Sequence, residues 1–264
     1  MSISMSTRAT RAFLIDLDGV LYVGKNPVEG AGACLKTLDE LGYRYRFVSN
    51  STRRCRGSVA KRLEDLGFDI APELIFTPPL AAVNHMKSRG LDRCFLLSTG
   101  DVHRDFEDAG VTLSDKDVDF VVIGDAGADF TFDRLNRALR LILDGAEILA
   151  LERDKYWMGS DGLVLSTGPF VAALEYATGR KSVLMGKPSP GFFGLALSDL
   201  GASAEETAMI GDDVLTDVAG AQKLGMKGIL VRTGKYRKDQ VLESNVTPDL
   251  ELDSIAGLVD HLPG

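Results

Sequence analysis

Two carboxylates stand two residues apart directly after an apolar run near the start of the chain. Asp16 and Asp18 follow Phe13-Leu14-Ile15, and Gly19 comes next. In an open parallel sheet, ligands bind beyond the carboxyl ends of the strands, where these two acids are expected to lie. Because their negative charges repel each other, a bound cation is expected to keep both ionised. A lone DxDG sequence is more often a polar turn.

A calcium-binding loop also begins with this pattern, but the residues that follow exclude it. The fifth and twelfth positions of such a loop fall on Val20 and Pro27. Neither residue has a side chain that can bind calcium, so we do not predict an EF-hand.

Two further segments place phosphate-binding groups after strands or beside turns. Ser49 and Asn50 follow an apolar strand, and their hydroxyl and amide can donate hydrogen bonds to phosphate oxygens. Lys187 lies between Gly186 and Pro188, where a fixed ammonium could neutralise charge that develops on a phosphoryl group. Taken singly, Ser-Asn is usually a turn or a helix cap, and a lysine usually lies on the surface.

A second acidic group follows the apolar run Ala208-Met209-Ile210. Asp212 and Asp213 come directly after Gly211, and Asp217 follows on a predicted helix. These carboxylates are expected at the same edge of the sheet as the first pair. Asp217 could orient Asp212 or Asp213 without binding a metal itself. The sequence leaves open whether Asp213 binds a metal directly.

The segment Ile123-Gly124-Asp125 repeats the signal of a strand followed by Gly-Asp. This copy lacks a second aspartate and precedes the Gly-Lys-Pro segment instead of following it. We therefore assign Asp125 to a structural turn, with substrate contact as the alternative.

Apolar runs of strand length alternate with helix-period segments along most of the chain, which is the pattern of a parallel sheet covered by helices. The predicted strands are Ala12–Ile15, Tyr45–Val48, Cys94–Leu97, Val118–Ile123, Ile148–Leu151, Thr207–Ile210 and Gly228–Val231. The predicted helices are Gly32–Leu41, Ser58–Leu66, Leu80–Arg89, Thr131–Leu143, Pro169–Ala177, Phe192–Leu200 and Asp217–Leu224. We predict an α/β fold with a Rossmann-like parallel-sheet core.

Proline-containing junctions divide this pattern into two domains. Thr77-Pro78-Pro79 and Met185-Gly186-Lys187-Pro188 are the candidate boundaries, because such segments stiffen or redirect the chain. The predicted core therefore comprises residues 1–79 and 184–264, and an inserted α/β domain comprises residues 80–183.

Composition limits the class of protein. The chain has 264 residues, of which 45% are hydrophobic, and this permits a packed core. The net charge of −8 argues against a nucleic-acid partner, and no apolar run approaches the roughly 20 residues of a membrane span. Three widely spaced cysteines favour a reducing, cytoplasmic compartment. The segment Met1–Arg11 is expected to be a frayed tail, with a short targeting segment as the alternative.

The order of the four motifs is more specific than any one of them. The chain reads as strand-DxDG, strand-SN, GKP-helix and strand-GDDxxxD, and this order resembles the haloacid dehalogenase superfamily. The insertion is where members with a C2-type cap, the type IIA hydrolases, carry it. Three more segments, Arg140–Ala146, Phe170–Thr178 and Val231–Lys235, also resemble that family.

The resemblance implies a magnesium-dependent phosphatase. Asp16 is then the nucleophile that becomes an aspartyl phosphate, and Asp18 is the general acid and base. The implied metal, Mg²⁺, is bound by Asp16, by the backbone carbonyl of Asp18 and by Asp212. The implied phosphate-binding residues are Ser49, Asn50 and Lys187. Asp213 and Asp217 are expected to orient the ligands.

The substrate class and the assembly are expectations from the same resemblance. Small phosphomonoesters, pyrophosphate and phosphoamidates are the candidate substrates, and a homodimer through the cap is the candidate assembly. In the cap we expect Lys155 and Trp157 to contact the leaving group, with Trp157 as ordinary cap core the alternative.

Two other classes remain as alternatives to the phosphatase. A signalling receiver domain also uses acids, a hydroxyl, a lysine and magnesium, but Asp18 and the insertion argue against it. A phospho-ligand-binding or phosphoacceptor protein of the same fold without efficient turnover is the other alternative.

Overall fold

The computed structural model describes residues 10–159 and 161–262, so most of the predicted N-terminal tail lies outside the described residues. Contacts divide the chain into two compact units. Unit 1 contains the described residues up to Ser49, with Ala60–Phe76 and the segment from Lys187 onwards. Unit 2 contains Asn50–Val59 and Thr77–Gly186.

The strands and helices are numbered in chain order. The strands are β1 (Ala12–Asp16), β2 (Tyr22–Val23), β3 (Asn26–Pro27), β4 (Arg44–Val48), β5 (Ile75–Phe76), β6 (Arg93–Leu97), β7 (Thr112–Leu113), β8 (Phe120–Ile123), β9 (Glu147–Ala150), β10 (Tyr156–Gly159), β11 (Gly162–Leu165), β12 (Val183–Leu184), β13 (Thr207–Gly211), β14 (Lys227–Val231) and β15 (Leu250–Leu252). The α-helices are α1 (Ala31–Glu40), α2 (Arg56–Asp65), α3 (Pro78–Ser88), α4 (His103–Asp108), α5 (Phe132–Leu143), α6 (Thr167–Thr178), α7 (Pro190–Leu200), α8 (Ala219–Gln222) and α9 (Lys238–Glu243).

Unit 1 is built on a six-stranded parallel sheet in the order β15-β14-β13-β1-β4-β5. All residues of β1 and β13 are buried, because a central parallel strand is covered on both faces. In the register of the sheet, Ile15 pairs with Ile210, and Asp16 pairs with Val48. The residues that follow β1, β4 and β13 therefore meet at one carboxyl edge.

Unit 2 has its own parallel sheet, in the order β12-β9-β8-β6-β7. Helices α5 and α6 pack together, and their side chains join those of β8 and β9 in one apolar core. The rings of Phe130 and Phe170 stack with their centroids 3.7 Å apart. The predicted α/β class, with a Rossmann-like parallel sheet and a second α/β unit, is confirmed.

The segment 50–59 groups by contacts with unit 2, although the sequence prediction placed it in the core. Its backbone and side chains explain the grouping. Thr52 accepts a hydrogen bond on its carbonyl from Ser98 Oγ at 2.8 Å, and its Oγ1 accepts one from the Asp125 amide at 3.2 Å. The Cys55 amide donates to Asp101 Oδ1 at 2.9 Å.

The structure also contains elements that the apolar pattern did not predict. Hairpins β2–β3 and β10–β11, helices α4 and α9 and the edge strands β5, β7, β12 and β15 are all short. The predicted helix Asp217–Leu224 is wrong at its start, because a π-helical turn spans Val214–Val218 and α8 follows it. None of the helices in the described ranges is long and apolar enough to cross a bilayer.

Candidate active site

A buried lysine joins two aspartates at the carboxyl edge of the unit 1 sheet. Lys187 Nζ lies 2.8 Å from Oδ1 of Asp16 and 2.7 Å from Oδ1 of Asp217. All three residues are buried. Asp16 ends β1, and Lys187 lies just before α7, whose N-terminal Ser189 accepts a hydrogen bond from the Gly191 amide. Two predicted site residues, distant in sequence, therefore lie in direct contact.

Asp212 completes a compact acidic cluster with Asp16 and Asp217. One carboxylate oxygen from each residue lies within 4.8 Å of the others, and all three residues are buried. Three negative groups at this spacing repel one another strongly in a buried site unless cations balance them. The donor set consists of carboxylate oxygens, which are the ligands that hard divalent cations prefer.

The π-helical turn Val214–Val218 brings Asp217 back towards the lysine. Its carboxylate Oδ2 accepts a hydrogen bond from the Asp213 amide at 3.2 Å, while Oδ1 contacts Lys187. A Cβ atom on Gly211 would lie 2.3 Å from Asp217 side-chain atoms, so only glycine allows this close approach. Single π-helical turns often occur at functional sites.

Asp213 has a different environment from its neighbours. Its Oδ1 accepts hydrogen bonds from the amides of Leu215 at 2.9 Å and Thr216 at 3.0 Å. The carboxylate thus caps the first turn after β13, where it balances the unpaired amides and the positive end of the turn.

Asp212 is enclosed by two loops that approach it closely. Its Oδ2 accepts a hydrogen bond from the Lys235 amide at 2.6 Å. Gly19 has a φ of 91°, and a Cβ at that position would lie 1.8 Å from the same oxygen. The Gly19 carbonyl also accepts a short hydrogen bond from Thr233 Oγ1. The DxDG glycine is therefore required by both conformation and space.

Burial and neighbouring charges shift the pKa values of Lys187, Asp217 and Asp212. Burial alone would lower the pKa of Lys187, but Asp16 and Asp217 outweigh it and raise that pKa, so the ammonium stays charged. Burial raises the pKa of Asp217 to about 7, although Lys187 opposes this shift. Burial and then the Asp16 charge raise the pKa of Asp212 to about 6.

Asp18, in the DxDG segment after β1, is an exposed residue whose carboxyl is partly buried. Partial burial of its carboxyl, followed by the Asp16 charge, raises its pKa above the ordinary value of 3.8. Arg62 and Lys235 lower it, as does a hydrogen bond from the Gly24 amide. A carboxyl with a raised pKa is better able to carry a proton near neutral pH.

The two remaining predicted phosphate ligands lie in different contact units. The Ser49 amide donates to the Phe76 carbonyl at 3.2 Å, which fixes Ser49 at the end of β4 in unit 1. Asn50 belongs to unit 2. Its Oδ1 lies close to Gly186, since a Cβ atom added to that glycine would be 3.1 Å from it.

Two predictions for unit 2 can be compared with the structure. Asp125 caps a turn by accepting a hydrogen bond from the Gly127 amide at 2.9 Å, so its assignment to a structural turn is confirmed. Trp157 lies on β10 and is 45% exposed, so the alternative of a buried core residue is wrong. Lys155 is exposed beside it.

The prediction assigned no role to Lys235 or Arg62, which both act on the acidic groups. Burial lowers the pKa of Lys235, but the charges of Asp16 and Asp212 raise it above its ordinary value. Lys235 ends the segment Arg-Thr-Gly-Lys that directly follows β14. A polar segment at the carboxyl end of a core strand was a signal that could have identified it.

Comparisons with known proteins cover nearly the whole chain. A family described as haloacid dehalogenase-like hydrolase matches residues 13–112, and one described as HAD-hydrolase-like matches residues 184–258. Haloacid dehalogenase-like hydrolase domain-containing protein 2 from Bos taurus is 43% identical over 97% of this chain and 96% of its own length.

Two further similarities are to proteins named as phosphatases. Phospholysine phosphohistidine inorganic pyrophosphate phosphatase from Xenopus laevis is 37% identical over 96% of this chain and 94% of its own length. The crystal structure of 4-nitrophenylphosphatase from Thermotoga maritima matches with a TM-score of 0.89 and 29% identity, covering 97% of this chain and 98% of that one.

Proposed function

The chain belongs to the haloacid dehalogenase-like hydrolases and is a phosphatase, and we propose that it hydrolyses small phosphorylated compounds through an aspartyl phosphate on Asp16. The observation that carries the proposal is the contact of 2.8 Å between Asp16 and the buried ammonium of Lys187. A fixed cation beside a carboxylate at the edge of a parallel sheet can hold both the nucleophile and the anionic group that it attacks.

The proposed reaction has two displacements at phosphorus. In the first, an oxygen of Asp16 bonds to phosphorus while the bond to the leaving oxygen, or to the leaving nitrogen of a phosphoamidate, breaks, and Asp18 gives its proton to that leaving atom. In the second, Asp18 takes a proton from water, whose oxygen bonds to phosphorus as the bond to Asp16 breaks. Lys187 and Ser49 are the proposed ligands of the phosphoryl oxygens in unit 1, and Asn50 is a further proposed ligand.

Mg²⁺ is the proposed cofactor, and the acidic cluster supports it. Asp16 and Asp212 are the proposed side-chain ligands, together with the backbone carbonyl of Asp18. Both carboxylate oxygens of Asp217 already accept hydrogen bonds, from Lys187 and from the Asp213 amide, so we propose that Asp217 orients the lysine. The bound cation would supply positive charge to the carboxylates and to the phosphate.

The proposed substrates are small phosphomonoesters, pyrophosphate or phosphoamidates. The names of the relatives support this range, since one is a 4-nitrophenylphosphatase and another acts on phospholysine, phosphohistidine and pyrophosphate. The competing function is phospho-ligand binding, or phosphate acceptance, without efficient turnover. The presence of Asp18 two residues after the nucleophile favours turnover, because it provides an acid and base for both steps.

We further propose a homodimer formed through the β10–β11 hairpin. Tyr156 pairs with Leu165 and Met158 pairs with Leu163, so these four side chains lie on one face of the hairpin. They are 57%, 61%, 70% and 63% exposed, respectively. A contiguous apolar surface of this kind is typical of a protein interface.

Light scattering tests the proposed dimer. The double variant Met158→Ser with Leu163→Ser should be a monomer. Tyr176→Ser, at an exposed site on α6, should leave the dimer unchanged.

The function is tested by phosphate release from a panel of phosphorylated metabolites in the presence of magnesium. The wild-type protein should turn over repeatedly, and acid quenching should trap a phosphorylated protein. Asp16→Asn should lose both the turnover and the trapped phosphate. Stoichiometric phosphorylation without release would instead support the phosphoacceptor alternative, and near-normal turnover by Asp16→Asn would exclude the proposed nucleophile.

A further inference from the structure

Arg62 on α2 holds the small hairpin that follows the DxDG loop. Its Nη2 donates a hydrogen bond to the Gly24 carbonyl at 3.0 Å, and its guanidinium lies 5.0 Å from the centroid of the Tyr22 ring. The Tyr22 ring is buried, whereas Val23 and Gly24 are exposed at the turn. The guanidinium therefore attaches an otherwise exposed turn to a helix of the core.

The same hairpin holds Asp18. The Gly24 amide donates a hydrogen bond to the Asp18 carboxylate, and Asp18 forms a β-bridge with Tyr22. The Gly19 amide also donates to the Tyr22 carbonyl at 2.7 Å. Gly24 is thus bonded on its amide side to Asp18 and on its carbonyl side to Arg62.

The hairpin depends on such contacts because it is very short. Strands β2 and β3 contain two residues each, and they form a sheet of their own. A two-stranded hairpin is marginally stable alone, so its position depends on what anchors it. A small displacement of Gly24 would move the amide that orients the Asp18 carboxylate, and misplacement of a reacting group by about 1 Å can cost about 100-fold in rate.

We infer that Arg62 is a positioning residue for the reaction, which places the Asp18 carboxylate for proton transfer by anchoring the β2–β3 hairpin through Gly24 and Tyr22. This inference rests on the proposed function, because it assumes that Asp18 protonates the leaving oxygen and then deprotonates water. Arg62 itself need not touch the substrate.

The leaving group distinguishes this role from a general effect on folding. The p-nitrophenolate ion is stable enough to leave without a proton, whereas the alkoxide of glycerol 2-phosphate must be protonated as its bond to phosphorus breaks. A misplaced Asp18 therefore slows the first displacement on glycerol 2-phosphate much more than the first displacement on p-nitrophenyl phosphate. A smaller folded fraction lowers both rates by the same factor.

The experiment compares kcat/KM for these two substrates in full-length Arg62→Met, Arg62→Lys and Asp18→Asn. Arg62→Met should lose about tenfold more on glycerol 2-phosphate than on p-nitrophenyl phosphate. Arg62→Lys keeps the charge but not the planar fork that both stacks and donates, so it should also show an extra loss of several fold on glycerol 2-phosphate. Lys61→Met is the matched control, since Lys61 lies on the same helix and pairs only with the exposed Glu64 and Asp65 among the described residues.

A second readout follows the covalent step with p-nitrophenyl phosphate. Since Asp18 also activates water, Arg62→Met should release a rapid burst of p-nitrophenol before a slower steady rate. Equal losses of kcat/KM on both substrates in Arg62→Met would show that Arg62 acts only through stability. A wild-type ratio of the two kcat/KM values in Arg62→Lys would show that its charge alone is sufficient. Either result would overturn the inference. If circular dichroism shows that Arg62→Met is not folded, the result for Arg62→Lys decides the question. Should Asp18→Asn itself lack any leaving-group dependence, the assigned role of Asp18 would be wrong, which is a failure of the proposed function.

Discussion

Lys187 Nζ lies 2.7 Å from Asp217 Oδ1, and the two side chains are 4% and 1% exposed. The same ammonium contacts Asp16 at 2.8 Å, so one positive charge serves two carboxylates. Replacing both members of a buried ion pair by apolar residues can leave the free energy of unfolding nearly unchanged. Replacing only one member lowers it, because the other charge stays buried without a partner. The contact therefore links the stability of unit 1 to the reactivity of the proposed nucleophile, Asp16.

Replacement of the lysine alone should lower stability and activity together. Lys187→Met leaves the Asp16 and Asp217 carboxylates without their cation, so we expect a loss of about 3–5 kcal/mol in the free energy of unfolding. Phosphate release should fall at least about 100-fold, because the phosphoryl group loses its fixed positive charge. Urea unfolding and a phosphate assay measure the two effects.

An exposed pair and a double variant serve as controls for Lys187→Met. Lys36 and Glu40 lie 3.7 Å apart and are 77% and 64% exposed, so Lys36→Met should change stability by less than about 1 kcal/mol. Adding Asp217→Leu to Lys187→Met should recover part of the stability but none of the activity. If Lys187→Met were as stable as Lys36→Met, the buried contact would have no structural role.

A methyl group at Gly19 should act directly on Asp212. A Cβ there would lie 1.8 Å from Asp212 Oδ2, and the φ of 91° adds conformational strain. Gly42 has a φ of 72°, but a Cβ there meets nothing within 4 Å, so Gly42→Ala controls for the strain alone. Gly42→Ala should lower the free energy of unfolding by about 1–2 kcal/mol and leave kcat normal. Gly19→Ala should in addition lose most of its phosphatase activity.

The fold of unit 1 was predictable because its central strands are continuous apolar runs. All residues of Ala12–Asp16 and Thr207–Gly211 are buried. Strands covered on both faces form continuous apolar runs instead of alternating apolar and polar residues, and such runs are easily recognised as strands. Asp16 at the end of β1 and Asp212 directly after β13 were predicted as site residues for the same reason. The β2–β3 hairpin was missed because strands of two residues have too few positions to show a period.

Contacts that depend on local geometry could not be predicted from periodicity. The segment after β13 was assigned to a regular helix from Asp217, but the capping of the turn by Asp213 and the wider π-helical turn place the Asp217 carboxylate against Lys187. Arg62 is one of several charged residues on α2, and nothing in its spacing distinguishes it from Lys61. Its contact with Gly24 requires the folded chain.

The buried carboxyl of Glu152 in unit 2 should make stability depend on pH. Its Oε1 accepts hydrogen bonds from Thr167 Oγ1 at 2.6 Å and Ser166 Oγ at 2.9 Å, but burial outweighs them and raises its pKa above the ordinary 4.5. A raised carboxyl pKa contributes stability below the unfolded-state pKa, and this contribution is lost as the pH rises through the folded-state pKa. Relative to Glu152→Gln, the wild-type free energy of unfolding should therefore fall as the pH rises from 4.5.

Denaturant unfolding at several pH values measures this difference. Glu40→Gln, at an exposed site on α1, controls for the loss of one negative charge and should give a difference that changes little over the same range. A wild-type protein that gains stability over Glu152→Gln as the pH rises would mean that Glu152 is stabilised in its ionised form, and the assigned direction would be wrong.

Asp212 and its neighbour Asp213 should differ sharply in their effect on metal binding. Asp212→Asn keeps the size of the side chain but removes a negative charge from the acidic cluster, so magnesium affinity should fall by about 10- to 100-fold. Asp213→Asn retains an oxygen that can cap the amides of Leu215 and Thr216, and its magnesium affinity should stay within about threefold of wild type. Isothermal titration with magnesium measures both, independently of turnover.

Activity provides the second half of the metal test. Chelation should abolish phosphate release, and magnesium should restore it in the wild type and, at higher concentration, in Asp212→Asn. Calcium should substitute poorly, because its larger and more variable coordination does not hold the nucleophile and phosphate in line. If Asp213→Asn lost affinity and Asp212→Asn did not, Asp213 would be the direct ligand. The capping hydrogen bonds of its carboxylate would then have to break when the metal binds, so hydrogen exchange at the Leu215 and Thr216 amides would become faster in the presence of magnesium.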